Sequence, residues 1–454
     1  MMRAKTQAIL VAAPRSGAGK TTVTLALLAA FRRRGLRVRA AKCGPDYIDP
    51  AFHAAASDAP CLNLDSWAMG PALLDSVVHE TAAGADLLIV ESAMGLFDGA
   101  GGGGSGEGAA AELAVQLRLP VLLVLDVAGQ AQSAAAVVLG FANFDPRVRI
   151  AGIILNRVGS DRHRASIERA IAKLDVPIVG AIPRDEAIHL PERHLGLVQA
   201  LEHNDLEPRL HRLADLTERH CDLARIQELA TGLRVDSCPV AALPPPGQRI
   251  ALAQDAAFAF IYPHLLSGWR RAGAEIVPFS PLADEPPPTG CDACWLPGGY
   301  PELHAGKLAN AERFKVDLGH FASSRPVHGE CGGYMVLGQG LVDTDGARHA
   351  MAGLLSHATS FAERHLHLGY RAATLLQDCT LGPAATRLRG HEFHYASLID
   401  PGADDPLAEL FDAEGRVLGQ IGGRRGYVTG SFFHAIAREE DLAAVAQQKL
   451  AKLT

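Results

Sequence analysis

Short apolar runs alternate along the chain with stretches whose apolar positions recur every three or four residues. Ala8–Ala13, Val38–Lys42, Leu87–Glu91, Val121–Asp126, Ile150–Asn156 and Ile178–Ile182 are apolar almost throughout and too short for helices. That pattern predicts strands buried on both faces. Thr21–Arg33 and Ala109–Leu117 lie between them with helical spacing. Strand, helix, strand at this rhythm predicts a mostly parallel sheet covered on both sides. From Pro191 to Ala230 the pattern is helical and charged. Three consecutive prolines, Pro244 to Pro246, can continue neither a helix nor a central strand. The strand rhythm restarts at Ile250–Ala253, Glu275–Phe279, Ala293–Leu296 and Val327–Gly329. The expected fold class is α/β with two doubly wound domains, residues 1–240 and 249–454, joined by a Pro-rich linker at 241–248.

Composition narrows this picture. The chain has 454 residues, 48% hydrophobic and 20% charged, which supports full cores and argues against wholesale disorder. A net charge of −7 with no basic block disfavours a nucleic-acid partner. The first apolar run leads straight into a Gly-rich turn, so it reads as a strand and not as a secretion signal. No apolar run reaches the roughly 18 residues that a membrane span needs. Eight scattered cysteines suit reduced thiols and a cytoplasmic location. Cys291 and Cys294 form a CxxC pair, but no second pair or suitably spaced His pair accompanies them, so Cys294 reads as a buried strand residue. The Gly-rich stretch Asp98–Gly108 is either a disordered surface loop or a loop that orders over a ligand, and its place after a strand end with an acid favours the second.

Candidate chemistry appears first at Pro14–Thr22, which follows the first strand and opens a helix. Backbone N–H groups in such a turn cradle phosphate oxygens, and the helix dipole assists. Gly17, Ala18 and Gly19 allow close approach, Lys20 reaches the β/γ-phosphates, Thr21 offers a hydroxyl to Mg²⁺, and Thr22 completes the segment. The strict GxxxxGK pattern wants Gly where Pro14 stands, but Gly-Lys-Thr and the strand–turn–helix context are intact. ATP and Mg²⁺ are therefore the expected cofactors. Asp46, Asp49, Glu91 and Asp98 all follow strand ends, where ligands of open parallel sheets bind, and hard Mg²⁺ takes carboxylate oxygens. Asn156, at a later strand end, either reads an adenine edge or caps a turn.

A second site centres on Cys331 in Pro326–Met335, a strand, a sharp turn flanked by small residues, then a helix. This is a nucleophile elbow with Cys in place of Ser. The helix N-terminus is expected to lower the thiol pKa below the free value of about 8.5. His434, read as the end of a late apolar strand, is the candidate base. Gly298 and Gly299 in Leu296–Glu302, with Gly332 beside the cysteine, are candidate oxyanion donors.

Five motifs in order carry a family resemblance: CGPDYIDP (43–50), ESAMGLFDG (91–99), PGGYPE (297–302), HGECGGYM (328–335) and GHEFHYAS (390–397). The N-terminal half resembles P-loop amidoligases of the dethiobiotin-synthetase type, and the C-terminal half resembles class I glutamine amidotransferase domains. Together, from Ile9 to about Ile436, the chain resembles the cobyrinic or hydrogenobyrinic acid a,c-diamide synthases of cobalamin biosynthesis. The resemblance implies that Cys331 releases ammonia from glutamine, that ATP activates a macrocycle carboxylate as an acyl phosphate, and that ammonia displaces the phosphate at the a and c acetates. It ties Asp46, Tyr47, Asp49 and Glu91 to metal binding, substrate placement or the intermediate, without dividing those roles; Thr21, Asp46 and Glu91 form the expected metal set. It also implies a homodimer. Cobalt-free and cobalt-bearing substrates share a periphery, and the Ala/Arg-rich composition leans to the former. Other tetrapyrrole polycarboxylates, such as nickel sirohydrochlorin, and a P-loop ATPase or binding protein without amide transfer are the alternatives. Many related glutaminase domains carry His-x-Glu; here Ile436 follows His434 at that spacing, so a Cys–His dyad is expected. His391 and His394 line a domain interface or ammonia route, or are structural.

Overall fold

The apolar runs of the N-terminal half become strands with almost no exposed face: β1 (Gln7–Ala12), β2 (Val38–Cys43), β3 (Leu62–Leu64), β4 (Leu87–Glu91), β5 (Val121–Asp126), β6 (Ile150–Val158) and β7 (Ile178–Pro183). The structure is a computed structural model that describes residues 6–100, 108–185, 192–193, 196–197, 205–235 and 239–439. These residues divide into two compact units, one of 6–67 and 71–239, the other of 240–439 together with 68–70.

In the first unit the seven strands run parallel in the order β3-β2-β4-β1-β5-β6-β7, and Thr231–Gly232 pairs antiparallel with β1. From β1 the chain winds first to one side and later to the other. The crevice at the carboxyl end of β1 is therefore the switch point where ligands of such sheets bind. Helix α1 (Lys20–Arg33) buries Val23, Leu25, Ala26, Leu27, Leu28 and Phe31 between the sheet and neighbouring helices. Of the seven parallel strands only β3 escapes the sequence pattern, because three residues give no periodicity to read. In 191–230, helices occupy Leu206–His220 and Leu223–Leu229, and two-residue strands sit at Glu192–Arg193 and Gly196–Leu197. Residues 101–107 of the Gly-rich stretch lie outside the described residues.

The second unit contains a parallel sheet in the order Glu275–Phe279, Arg249–Ala253, Ala293–Leu296, Val327–Glu330, Val428–Ser431, with Gly423–Arg425 antiparallel at the edge. Trp269 and Trp295, both fully buried, meet edge-on at 5.1 Å in its core. The sequence rhythm does not foretell what lies between Val327 and Val428. A four-stranded sheet forms there, and a five-stranded antiparallel one runs Val417–Ile421, Ala408–Asp412, His367–Leu375, Arg387–His394, His434–Arg438. His367–Leu375 and Val417–Ile421 are exposed or half-buried over much of their length, and mixed apolar and polar residues blur the signal. His434 consequently opens a strand instead of closing one. The Pro-rich segment begins as part of this unit: Arg438 N–H donates to Ala242 C=O at 3.1 Å. Cys291 and Cys294 are buried free thiols, the latter pushed well up by burial. Among the described residues no helix is long and apolar enough to cross a membrane.

Candidate functional site

In the first unit the turn Pro14–Gly19 joins β1 to α1. Gly17 (φ 72°) and Gly19 (φ 91°) take left-handed conformations that glycine alone adopts at no steric cost. Gly19 is also the α1 N-cap, and a Cβ there would collide with the Asn156 amide. Asn156 Nδ2 donates to Ala18 C=O at 2.9 Å. Its amide nitrogen therefore braces the loop, and neither the base-reading nor the turn-capping expectation describes that contact. The loop has a second brace: Arg157 donates to Gly17 C=O at 3.1 Å and to Asp126 at 2.7 Å, and Arg15 donates to Asp126 at 2.9 Å. Lys20 is buried, and its ammonium donates to Arg15 C=O at 3.3 Å. Burial lowers its pKa against the opposing pull of Glu91. An ammonium held dry beside a turn of backbone donors suits a phosphate. Thr22 follows half-buried in the first turn of α1.

Beneath the loop, sheet register places Glu91 on β4 opposite Val11 on β1 and Lys42 on β2. Lys42, 2% exposed, donates to Asp49 at 2.6 Å and to Glu91 at 2.8 Å, with Asp46 at 4.0 Å. Thr21 donates to Glu91 at 2.7 Å and lies 3.2 Å from Asp49. His53 Nε2 meets the other Glu91 oxygen at 2.6 Å, and both side chains are fully buried. Burial opposes the charges of Lys42, His53 and Glu91, yet the pairing outweighs it. Lys42 is held well above its ordinary pKa by Asp49 and Glu91, His53 rises to about 10 through Glu91 and Cys61, and Glu91 is held well down by Lys42 and His53. Asp46, raised to about 6 by burial and Asp49, accepts the N–H groups of Ile48 and Asp49 at 2.8 and 3.0 Å. It is Asp49, and not the expected Asp46, that joins Thr21 and Glu91. One hydroxyl and two carboxylates are hard donors that fit Mg²⁺ alongside phosphate oxygens. No cluster of three or more His, Cys, Asp and Glu side chains among the described residues is disposed to hold a metal unaided. Tyr47 lies half-buried between β2 and α2 (Asp49–Ser57), and Asp98 is exposed, accepting Gly95 N–H at 2.9 Å.

The sequence pattern does not single out Lys42 or His53. Their signals are present nonetheless: a lysine at a strand end just ahead of CGPDYIDP, and a histidine four residues after Asp49 on one helix face.

In the second unit Cys331 stands between the strand Val327–Glu330 and the helix Gly332–Leu337 with φ 46° and ψ −102°. A non-glycine residue there is strained, as elbows are. Glycines admit the turn: a Cβ on Gly333 would strike Leu296 C=O, and one on Gly329 would come within 2.7 Å of the Gly333 backbone. Cys331 N–H is anchored to Ser431 C=O at 2.8 Å. A Cβ on Gly298 would sit 2.6 Å from His434 Cε1 and 3.4 Å from Cys331 Cβ, so the ring and the thiol flank one point on that glycine. Gly332 N–H hydrogen-bonds the cysteine sulfur, and a Cβ on Gly332 would lie 3.0 Å from Gly299 N. The Gly299 backbone nitrogen therefore lies close to the residue that follows the cysteine. Gly298 contributes room and a carbonyl that accepts Phe260 N–H at 2.9 Å.

The expected depression of the thiol pKa is not found. Burial pushes it up, Glu302 adds to the rise, and the Gly332 N–H opposes only part of it. A six-residue helix cannot overcome a dry site ringed by carboxylates. The dyad expectation also misses a neighbour: Glu330 Oε2 lies 3.8 Å from His434 Nδ1, with both side chains 1% exposed. Ile436, where a His-x-Glu acid would stand, is buried in the core. His391 pairs with His434 across strands with ring centroids 5.0 Å apart, and its Nδ1 lies 3.4 Å from Tyr262 OH. His394 packs on Phe432 at 3.9 Å and bonds Ala396 C=O at 3.0 Å.

Fold and sites define a chain that couples a P-loop-type nucleotide-binding unit to a glutamine amidotransferase unit. Residues 9–198 match the CobQ/CobB/MinD/ParA nucleotide binding domain, and residues 249–442 match the CobB/CobQ-like glutamine amidotransferase domain. The chain is 59% identical to the hydrogenobyrinate a,c-diamide synthase of Agrobacterium fabrum, over 95% of this chain and 99% of the relative. The enzymes of the same name from Mesorhizobium japonicum and Rhodobacter capsulatus are 58% and 54% identical, over 95% and 94% of this chain and 99% and 98% of theirs. The chain belongs to the hydrogenobyrinate a,c-diamide synthase family.

Proposed function

We propose that this chain amidates the a and c acetate carboxylates of hydrogenobyrinic acid, with glutamine as nitrogen donor and ATP with Mg²⁺ as activator. The relatives bear that activity in their names and align with nearly the whole chain, which favours the cobalt-free macrocycle. The observation that carries the reading is one chain holding both a strained cysteine elbow beside a histidine and a phosphate loop above a neutralised acid cluster. Neither half suffices for glutamine-dependent amide synthesis.

In the glutaminase half, the Cys331 proton passes to His434 as sulfur attacks the γ-carboxamide carbon of glutamine. The developing oxyanion is received by the Gly299 and Gly332 N–H groups. When the C–N bond breaks, ammonia leaves with the proton returned by His434, and water then hydrolyses the thioester to glutamate. In the ligase half, the loop 14–19 and Lys20 receive the phosphates. Thr21, Asp49 and Glu91 would hold Mg²⁺, which when bound offsets phosphate charge. A carboxylate oxygen of the macrocycle attacks the γ-phosphorus of ATP, the bond to the β-phosphate breaks and ADP leaves, and the acyl phosphate so formed carries a good leaving group. Ammonia adds at the carbonyl carbon, phosphate departs, and the sequence repeats at the second acetate.

Cys331→Ser is expected to abolish glutamine-dependent amidation while sparing amidation driven by ammonium salts. Loss of both at unchanged stability would sink the two-site mechanism. Mass spectrometry of products from hydrogenobyrinic and cobyrinic acid tests the substrate: two amidations of the cobalt-free acid are expected, and no mass change with it overturns the assignment.

A further inference from the structure

We propose that Glu330 is the carboxylate that positions His434 for its proton transfers, supplied by the elbow strand itself and not by the strand that carries the histidine. This deepens the proposed glutaminase half-reaction and rests on it.

Three placements carry the inference. Glu330 Oε2 faces His434 Nδ1 at 3.8 Å, with both side chains 1% exposed. Its other oxygen accepts Ala435 N–H at 3.1 Å, so the carboxylate is tied to the residue that follows His434. And Glu330 is the last residue of its strand, paired in register with Ser431, three residues before His434. The chain leaves the parallel sheet at Ser431 and enters the antiparallel sheet at His434. That short crossing sets the imidazole over the elbow. With Nδ1 turned to Glu330, the Cε1 edge lies at Gly298, where Cys331 Cβ also sits, and Nε2 is the nitrogen left for the thiol proton.

A buried imidazole that takes a proton becomes a buried cation, which needs an anion nearby. The cross-strand neighbour His391 cannot serve, because an imidazole ring is neutral or cationic and supplies no negative charge. Glu302 and Glu392 act on the thiol electrostatically, and Glu392 is paired to Arg371 at 2.8 Å. Among the described residues Glu330 is placed within charge-pair range of the ring. At 3.8 Å the contact is a charge pair and not a hydrogen bond. A closure of about 1 Å in the glutamine complex would make it one.

Glu330→Gln should lower kcat for glutamine hydrolysis about 10²-fold or more while KM for glutamine stays within roughly threefold. Ammonia-dependent amidation should persist, and Glu330→Asp should recover part of the lost rate. Equal loss with both nitrogen sources, a loss in KM alone, or no recovery with Asp would overturn the positioning role. Imidazole ¹⁵N spectra of the unaltered protein give a test free of folding effects: neutral His434 is expected to carry its proton on Nδ1, and the Nε2–H tautomer would overturn the proposal. Because Cys331→Ser tests the parent reading separately, glutamine turnover that survives that substitution would condemn the half-reaction itself, whatever Glu330 does.

Discussion

The two sites handle buried charge in opposite ways. Beneath the phosphate loop, Lys42 and His53 are set against Asp49 and Glu91 before any ligand arrives, and Lys42, His53 and Glu91 are held in their charged forms. Around the elbow, Cys331 is kept neutral by burial and by the carboxylates about it. A phosphoryl-transfer site works on a highly charged ligand, so fixed charges in place reduce reorganisation. A thiol that acts on a neutral amide needs its charge only during attack, and a base can take the proton then. The contrast is between charge installed by folding and charge created during turnover.

The largest expected effect removes a charge from the first arrangement. Lys42→Met leaves Asp49 and Glu91 facing each other in a dry crevice with one partner fewer. Breaking such a pair from one side costs about 3–5 kcal/mol. Amidation should fall by at least about 10³-fold with glutamine and with ammonia alike, while glutamine hydrolysis in the second unit persists. Ammonia-dependent activity within about tenfold of the original would show that the installed charge is dispensable.

Much of the framework behind this contrast is legible in the amino-acid sequence, and what escapes has physical causes. The parallel strands are readable because burial on both faces leaves unbroken apolar runs, as at Val121–Asp126. The loop and the elbow are readable because their turns demand glycines at fixed positions. Lys42 and Glu330 escape because each stands at the end of an apolar strand, where a charged residue looks like the boundary of the pattern. Their roles come from cross-strand register with Glu91 and Ser431, which no local spacing encodes. The raised thiol pKa escapes for a related reason. The helix N-terminus is visible in the sequence, whereas the depth of the site and the nearness of Glu302 are products of tertiary packing.

A smaller effect sharpens the comparison through pH. Folding raises the His53 pKa from 6.5 to about 10. Its contribution is therefore complete below about pH 6.5 and is lost as pH rises through 10. Glu91, held down by Lys42 and His53, contributes stability that is present above its unfolded value near 4.5 and is lost as pH falls below it. Denaturant titration should show stability declining between pH 7 and 10, by on the order of 3–4 kcal/mol at most from this group. His53→Gln should flatten that decline. A slope unchanged by the substitution would mean that His53 is neutral in the folded protein.

The smallest effect addresses the neutral thiol. Burial is the main cause of its raised pKa, and Glu302 comes next. Glu302→Gln removes that charge while keeping the shape of the side chain, so the thiolate should become easier to form. Alkylation of Cys331 by iodoacetamide near pH 8, read against Cys331→Ser as the blank, should quicken by roughly three- to tenfold, since each unit of pKa is tenfold in thiolate. Enhanced alkylation without faster glutamine turnover would fit a thiol that gains its charge from His434 during attack. An unchanged alkylation rate would assign the raised pKa to desolvation alone, and the difference between the two sites would then lie in how deeply each nucleophilic or charged group is buried, not in the signs of its neighbours.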